Sequence, residues 1–201
     1  MIRRSLVLFA ALFFAVSAHA QLAAYGTFTV SRLSGINSSP YAAQYSSPEG
    51  ILPYVNPLGG TGGISYDFMN LGPVRLGADV RGSILSTHRG GETAFDGTGA
   101  RIESGLGGVK ASFHTPYKFL TPYMQASAGI GRSDYGLTGF PLHSSFEYHI
   151  FAGLDVHAFP IMDFRVAELG YGGLDQSGND SHNYPLKTFS AGVVFHFPSS
   201  Q

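Results

Sequence analysis

Apolar and polar residues alternate along most of this chain. Residues 73–85 show the pattern most clearly. Val74, Leu76, Ala78, Val80 and Ile84 share one face of an extended strand, and Arg75, Asp79, Arg81 and Ser83 share the other. A period of two marks a strand with one apolar and one polar face. The pattern returns at 22–32, where Phe28 and Val30 oppose Thr27, Thr29 and Ser31, and at 60–69, where Ile64, Tyr66 and Phe68 oppose Ser65 and Asp67. At 101–114, Val109, Ala111 and Phe113 oppose Lys110, Ser112 and His114. At 121–131, Met124, Ala126, Ala128 and Ile130 oppose Gln125, Ser127 and Gly129. Residues 145–159 set Phe146, Tyr148 and Ile150 against Glu147, His149, Asp155 and His157. Residues 162–171 begin with Phe164 and Val166 against Asp163 and Arg165, but the alternation blurs at Glu168, which predicts a bulge or an interface there. The last segment, 190–197, places Phe195 and Phe197 opposite Ser190, Gly192 and His196, with Val194 out of pattern.

These eight segments are joined by connections that alternate in length. The first, third, fifth and seventh are long and, taken together, rich in Ser, Gly, Pro, Tyr and Asn; the second, fourth and sixth are short. An up-and-down barrel with short turns at one end and long loops at the other has this spacing. The expected fold is all-β, an eight-stranded antiparallel up-and-down transmembrane β-barrel. Its polar face carries the charges and therefore forms a filled polar lumen rather than the core of a soluble barrel. Tyr and Phe near the strand ends, among them Tyr25, Tyr66, Tyr123, Phe164 and Phe197, are expected to form aromatic girdles. Strand glycines such as Gly105, Gly107, Gly129, Gly131 and Gly153 are expected to make room where long side chains cross the lumen.

Composition sharpens the membrane reading. Only 12% of residues are charged, against roughly 25% in soluble domains. No segment after Val16 approaches the roughly 20 apolar residues of a membrane helix. Residues 1–20 read as a signal peptide: Arg3 and Arg4, an apolar run from Leu6 to Val16, then Ala18-His19-Ala20 as a cleavage site. The barrel domain is then 21–201. Removing Arg3 and Arg4 makes the formal charge of −1 more negative, which argues against nucleic acid as a partner. There is no cysteine, hence neither disulfide nor thiolate metal site.

The final strand also resembles the C-terminal assembly signal of bacterial outer-membrane barrels, with Ser190, Gly192, Phe195 and Phe197 in its polar, glycine and two aromatic slots. In that family the aromatic is usually terminal; here four residues follow. Leu120-Thr121-Pro122-Tyr123, followed by the small residues 126–131, resembles a strand opening of the same proteins. Over residues 21–201 the chain looks like the OmpA/OmpX-like, opacity-type eight-stranded barrels, without an attached peptidoglycan-binding domain. The resemblance implies the bacterial outer membrane; a long first connection and an even strand number then place both termini on the short-turn side, in the periplasm. The resemblance also implies outer-membrane lipid and the barrel-assembly machinery as partners, the latter through the C-terminal strand. It implies little about activity, because this barrel hosts several functions.

Candidate chemistry is confined to the polar face. Asp67, Arg75, Asp79, Arg81, Lys110, Glu147, Asp155 and Arg165 are expected to form a lumen charge network, with Glu103 as a further member. Its signs are mixed, as in a salt-bridged plug; a selectivity ring would be the alternative. His143, Ser145 and Glu147 share a face, which invites comparison with the His-x-Ser pair of lipid A deacylases, but no oxyanion hole can be identified. His149, His157 and His196 lack a metal-site spacing. No catalytic, metal or cofactor site is expected. The expected role is structural, adhesive or surface-recognising, with recognition through the loops; the alternatives are a narrow pore and a lipid A-modifying hydrolase.

Overall fold

The computed structural model describes residues 21–39, 53–87, 100–117, 119–135, 141–176 and 181–197. The signal-peptide reading falls on 1–20, outside the described residues. Among the described residues nine strands follow in order: β1 Gln21–Ser34, β2 Tyr54–Val55, β3 Leu58–Asn70, β4 Val74–Ser86, β5 Arg101–Phe113, β6 Leu120–Ser133, β7 His143–Phe159, β8 Met162–Gln176 and β9 His182–Phe197. Each long strand pairs antiparallel with its chain neighbour, and β1 pairs with both β3 and β9. The sheet therefore closes on itself as an eight-stranded barrel. The two-residue β2 is the exception: it adds to the loop end of β1, Leu33 opposite Val55. Closure leaves none of the eight long strands as an open edge.

The strands are longer than the sequence pattern predicts, mostly at the end where the long connections leave. β9 begins at His182, not near Ser190. Its first half reads as loop because Asn183 and Pro185 break the pattern. Pro185 nevertheless sits in the ladder opposite Gly173. At the other end the turns are tight. Gly72 takes φ +73° between β3 and β4, a left-handed conformation that suits glycine.

Burial is inverted relative to a soluble protein. Val80, Ile84 and Ile130 are 63–66% exposed, whereas Arg165 and Glu168 are 2% and 1% exposed. In water each exposed side chain of this kind would forgo about 1.5–3 kcal/mol of burial. A hydrocarbon surround removes that penalty, so the barrel is of the transmembrane kind. From Leu22 to Arg32, β1 runs about 33 Å at 3.3 Å per residue. A tilt of about 40° turns this into about 25 Å of height, the apolar band expected of such barrels.

Inward glycines provide space for bulky neighbours, Gly63, Gly153 and Gly131 among them. A Cβ on Gly63 would strike the Tyr25 ring, one on Gly153 the Tyr123 ring, and one on Gly131 the Glu147 carboxylate. Gly105 and Gly107 do not play this part: they face outward, with nothing within 4 Å of an added Cβ. Gly105 ends a row of four glycines in register across adjacent strands, Gly26, Gly62, Gly82 and Gly105. A shallow groove of about 1070 Å³ runs along that flank.

Candidate functional site: a lumen closed at two levels

Alternation along each strand sends every second side chain into the lumen, and one irregularity completes the site. Between Arg165 and Glu168 the β8–β9 register shifts, and Leu154 and Asp155 of β7 face Ala167 and Arg165. Val166 is the extra residue. The bulge changes parity: Asp163 and Arg165 point inward before it, Glu168, Gly170 and Gly172 after it.

Glu168 is thereby placed between two arginines. Arg81 donates to it through Nη1 at 2.9 Å and Nη2 at 3.2 Å. Arg165 Nη1 donates at 3.3 Å and the Tyr123 hydroxyl at 2.5 Å. Arg165 also holds Asp155 in a two-pronged pair, 2.9 and 3.1 Å. Arg81 Nε reaches Asp79 at 3.2 Å, and Asp79 accepts from the Tyr25 hydroxyl at 3.0 Å and from Gln125 Nε2 at 2.6 Å. The Arg165 guanidinium lies between the Tyr25 and Tyr123 rings, 4.5 and 4.6 Å from their centroids. Arg81 lies 3.9 Å over Phe151. Two cations and three carboxylates are thus paired, bonded and stacked in one layer. A layer of this kind is costly to break at one partner.

The other expected network members lie above and below it. Asp67 and Arg75 stand 3.7 Å apart at the short-turn mouth, where Arg75 also donates to Gln21 at 2.8 Å. Asp163 bridges His157 at 2.7 Å and His196 at 2.8 Å in the same mouth. These groups line a polar recess of about 280 Å³. Lys110 is buried in the recess wall, its ammonium 5.3 Å from the Tyr123 ring centroid. On the loop side of the arginine layer, Glu147 contacts His149 Nε2 at 3.1 Å and accepts from the Ser104 hydroxyl at 2.5 Å.

A second closure lies at the loop end. Leu33, Ile36, Leu85, Ile102, Leu174 and Leu186, all at most 2% exposed, form an apolar cluster there. Tyr135 stacks on Tyr184 in the same cluster, centroids 4.1 Å apart. Ser145 belongs to this cap: its hydroxyl bonds Tyr135 at 2.7 Å. Ser145 and Glu147 share a face but are engaged by different partners, Ser145 by Tyr135 and Glu147 by His149 and Ser104.

Several expectations are corrected. Glu103 faces outward, paired with Arg101 at 2.6 Å. Tyr25 and Tyr123 are not girdle residues; both are buried in the lumen. Their odd-numbered parity with Thr27 and Gln125 was the available signal. Glu168 and Gln125 are central residues that pattern reading did not select.

The inverted, doubly closed barrel defines a class: the chain has the OmpA/OmpX-type eight-stranded transmembrane barrel fold. Solved structures of this fold include Neisserial surface protein A, 17% identical over 89% of this chain and 99% of that one, with a TM-score of 0.58. Ail, the attachment invasion locus protein of Yersinia pestis, in complex with the heparin analogue sucrose octasulfate, is 16% identical over 89% and 99% of the two chains, with a TM-score of 0.50. No family model and no curated protein sequence matches the chain.

Proposed function

We propose that this is a bacterial outer-membrane protein with a structural, adhesive or surface-recognising role that is not catalytic and does not use the lumen as a conduit. The observation carrying this reading is the double closure. An ion-paired arginine layer and an apolar cap stand in series, so a solute entering either mouth meets a packed layer. What remains to do work is the exterior, which faces lipid, and the rim with its long connections, where function concentrates on rigid scaffolds. Ail, crystallised with a heparin analogue, lends support to surface recognition for this fold.

In this reading the short-turn end and both termini face the periplasm, and β9 is the strand read by the barrel-assembly machinery. Its Ser190 and Gly192 point inward and its Phe195 and Phe197 outward. The test combines two measurements on the chain from Gln21 onward, refolded in detergent. It should run as a compact species on an unboiled gel and shift on boiling, and it should give no conductance steps in planar bilayers. Regular single-channel steps would overturn the reading in favour of a narrow pore.

A further inference from the structure

Arg32 and Lys187 stand directly opposite each other across the seam between β1 and β9. Both are exposed on the outward face. Each lies one outward position beyond the apolar band, after Val30 and Phe189, which are themselves paired in register. Like charges directly opposed on a sheet repel. On the other flank of the same rim the cations have an acid between them: Arg101 pairs with Glu103, and Arg132 is the cross-strand neighbour of Glu103. Among the described residues, Arg32 and Lys187 have no such acid between them. Among the described residues neither forms an ion pair. Asp175, on the outward face of neighbouring β8, lies two outward positions beyond Tyr171, the residue opposite Lys187.

Arg32 is also fixed in place. The Tyr54 ring lies 4.0 Å from its guanidinium carbon, and Nε donates to Asn56 Oδ1 at 3.2 Å. These contacts use one face and one donor. Among the described residues nothing bonds the four N–H donors on the two terminal nitrogens of Arg32, the planar fork that matches phosphate oxygens. Lys187, its ammonium 6.0 Å from the Tyr171 ring centroid, adds a point charge beside the fork.

We propose that Arg32 and Lys187 dock the phosphate of a lipid head group in the leaflet on the long-connection side. This rests on the outer-membrane placement proposed above. The occupant is an amphiphile because the cation pair and the apolar band are continuous: a phosphate held by Arg32 and Lys187 leaves its acyl chain against Val30 and Phe189. The bound phosphate also neutralises the repulsion across the seam, so binding tightens the β1–β9 closure.

The test uses the chain from Gln21 onward folded in nonionic detergent and titrated with diphosphorylated lipid A, with phosphate-free lipid A, and with inorganic phosphate. The reading is the temperature at which the compact gel band gives way to the unfolded one. Diphosphorylated lipid A should raise it and the other two should not. In R32Q/K187Q the compact band should persist, but the lipid concentration needed should rise about tenfold or more, as expected for losing charge-assisted bonds. R32K, which keeps the charge and loses the fork, should fall between. R132Q should behave as the parent chain. An undiminished response in R32Q/K187Q, or equal stabilisation by phosphate-free lipid A, would overturn the proposal. A shift with inorganic phosphate alone would overturn the lipid assignment. A parent chain with no compact band at all would count against the membrane barrel itself.

Discussion

Glu168→Ala removes the acceptor that two buried arginines share. The Glu168 carboxylate accepts from Arg81 twice, from Arg165 once and from the Tyr123 hydroxyl. The side chains of Arg81, Arg165 and Glu168 are 4%, 1% and 1% exposed, so water does little to screen the loss. Breaking a buried pair by deleting one partner costs about 3–5 kcal/mol. Because Glu168 serves both cations, about 4 kcal/mol is expected, close to a thousandfold in the unfolding equilibrium. Glu168→Gln keeps an acceptor and should cost about 2 kcal/mol. Glu103→Gln disrupts an ion pair whose side chains are 53% and 27% exposed, and should cost less than about 1 kcal/mol. The assay is equilibrium urea unfolding in lipid vesicles or detergent, followed by circular dichroism and by the compact band on unboiled gels. A loss for Glu168→Ala no larger than that for Glu103→Gln would refute the claim that this cluster holds the barrel shut. A double-mutant cycle between Arg81→Met and Glu168→Gln should show coupling well above 0.5 kcal/mol, since both touch one network.

Three further outcomes are expected. Gly153→Ala places a methyl on the Tyr123 ring, which Arg165 and Glu168 hold in position, and should cost about 1–3 kcal/mol; Gly107→Ala, facing open space, should stay within about 0.5 kcal/mol. Tyr135→Ala with Tyr184→Ala opens the loop-end cap but leaves the arginine layer, so planar-bilayer recordings should remain silent; conductance steps would show that the inner layer does not close the lumen. Phe197→Ser should slow assembly into the outer membrane of living cells while leaving refolding in detergent unchanged; equal rates in cells would remove the C-terminal strand as a recognition element.

Strict alternation carried much of this structure in the sequence by itself. A strand whose even positions are Val, Leu, Ala and Ile and whose odd positions are Arg and Asp, as in β4, can satisfy both faces only with apolar surroundings on one side and a polar partner set on the other. Eight such strands joined by alternately long and short connections leave an up-and-down barrel as the compact solution. The pattern also placed Asp79, Arg81, Lys110, Asp155 and Arg165 on the polar face. It could not say which of them meet, because residues on β4, β6, β7 and β8 become neighbours only when the barrel closes and its register is set. Nor could it place Glu168. A bulge changes parity through one extra residue, and whether Val166 or a neighbour is that residue depends on how β8 pairs with β7 and β9. The first half of β9 was hidden for a related reason: Asn183 and Pro185 weaken the local strand preference, and pairing with β1 and β8 on either side outweighs it. The opposition of Arg32 to Lys187 is likewise a fact of closure, since the first and last long strands meet only where the sheet joins itself.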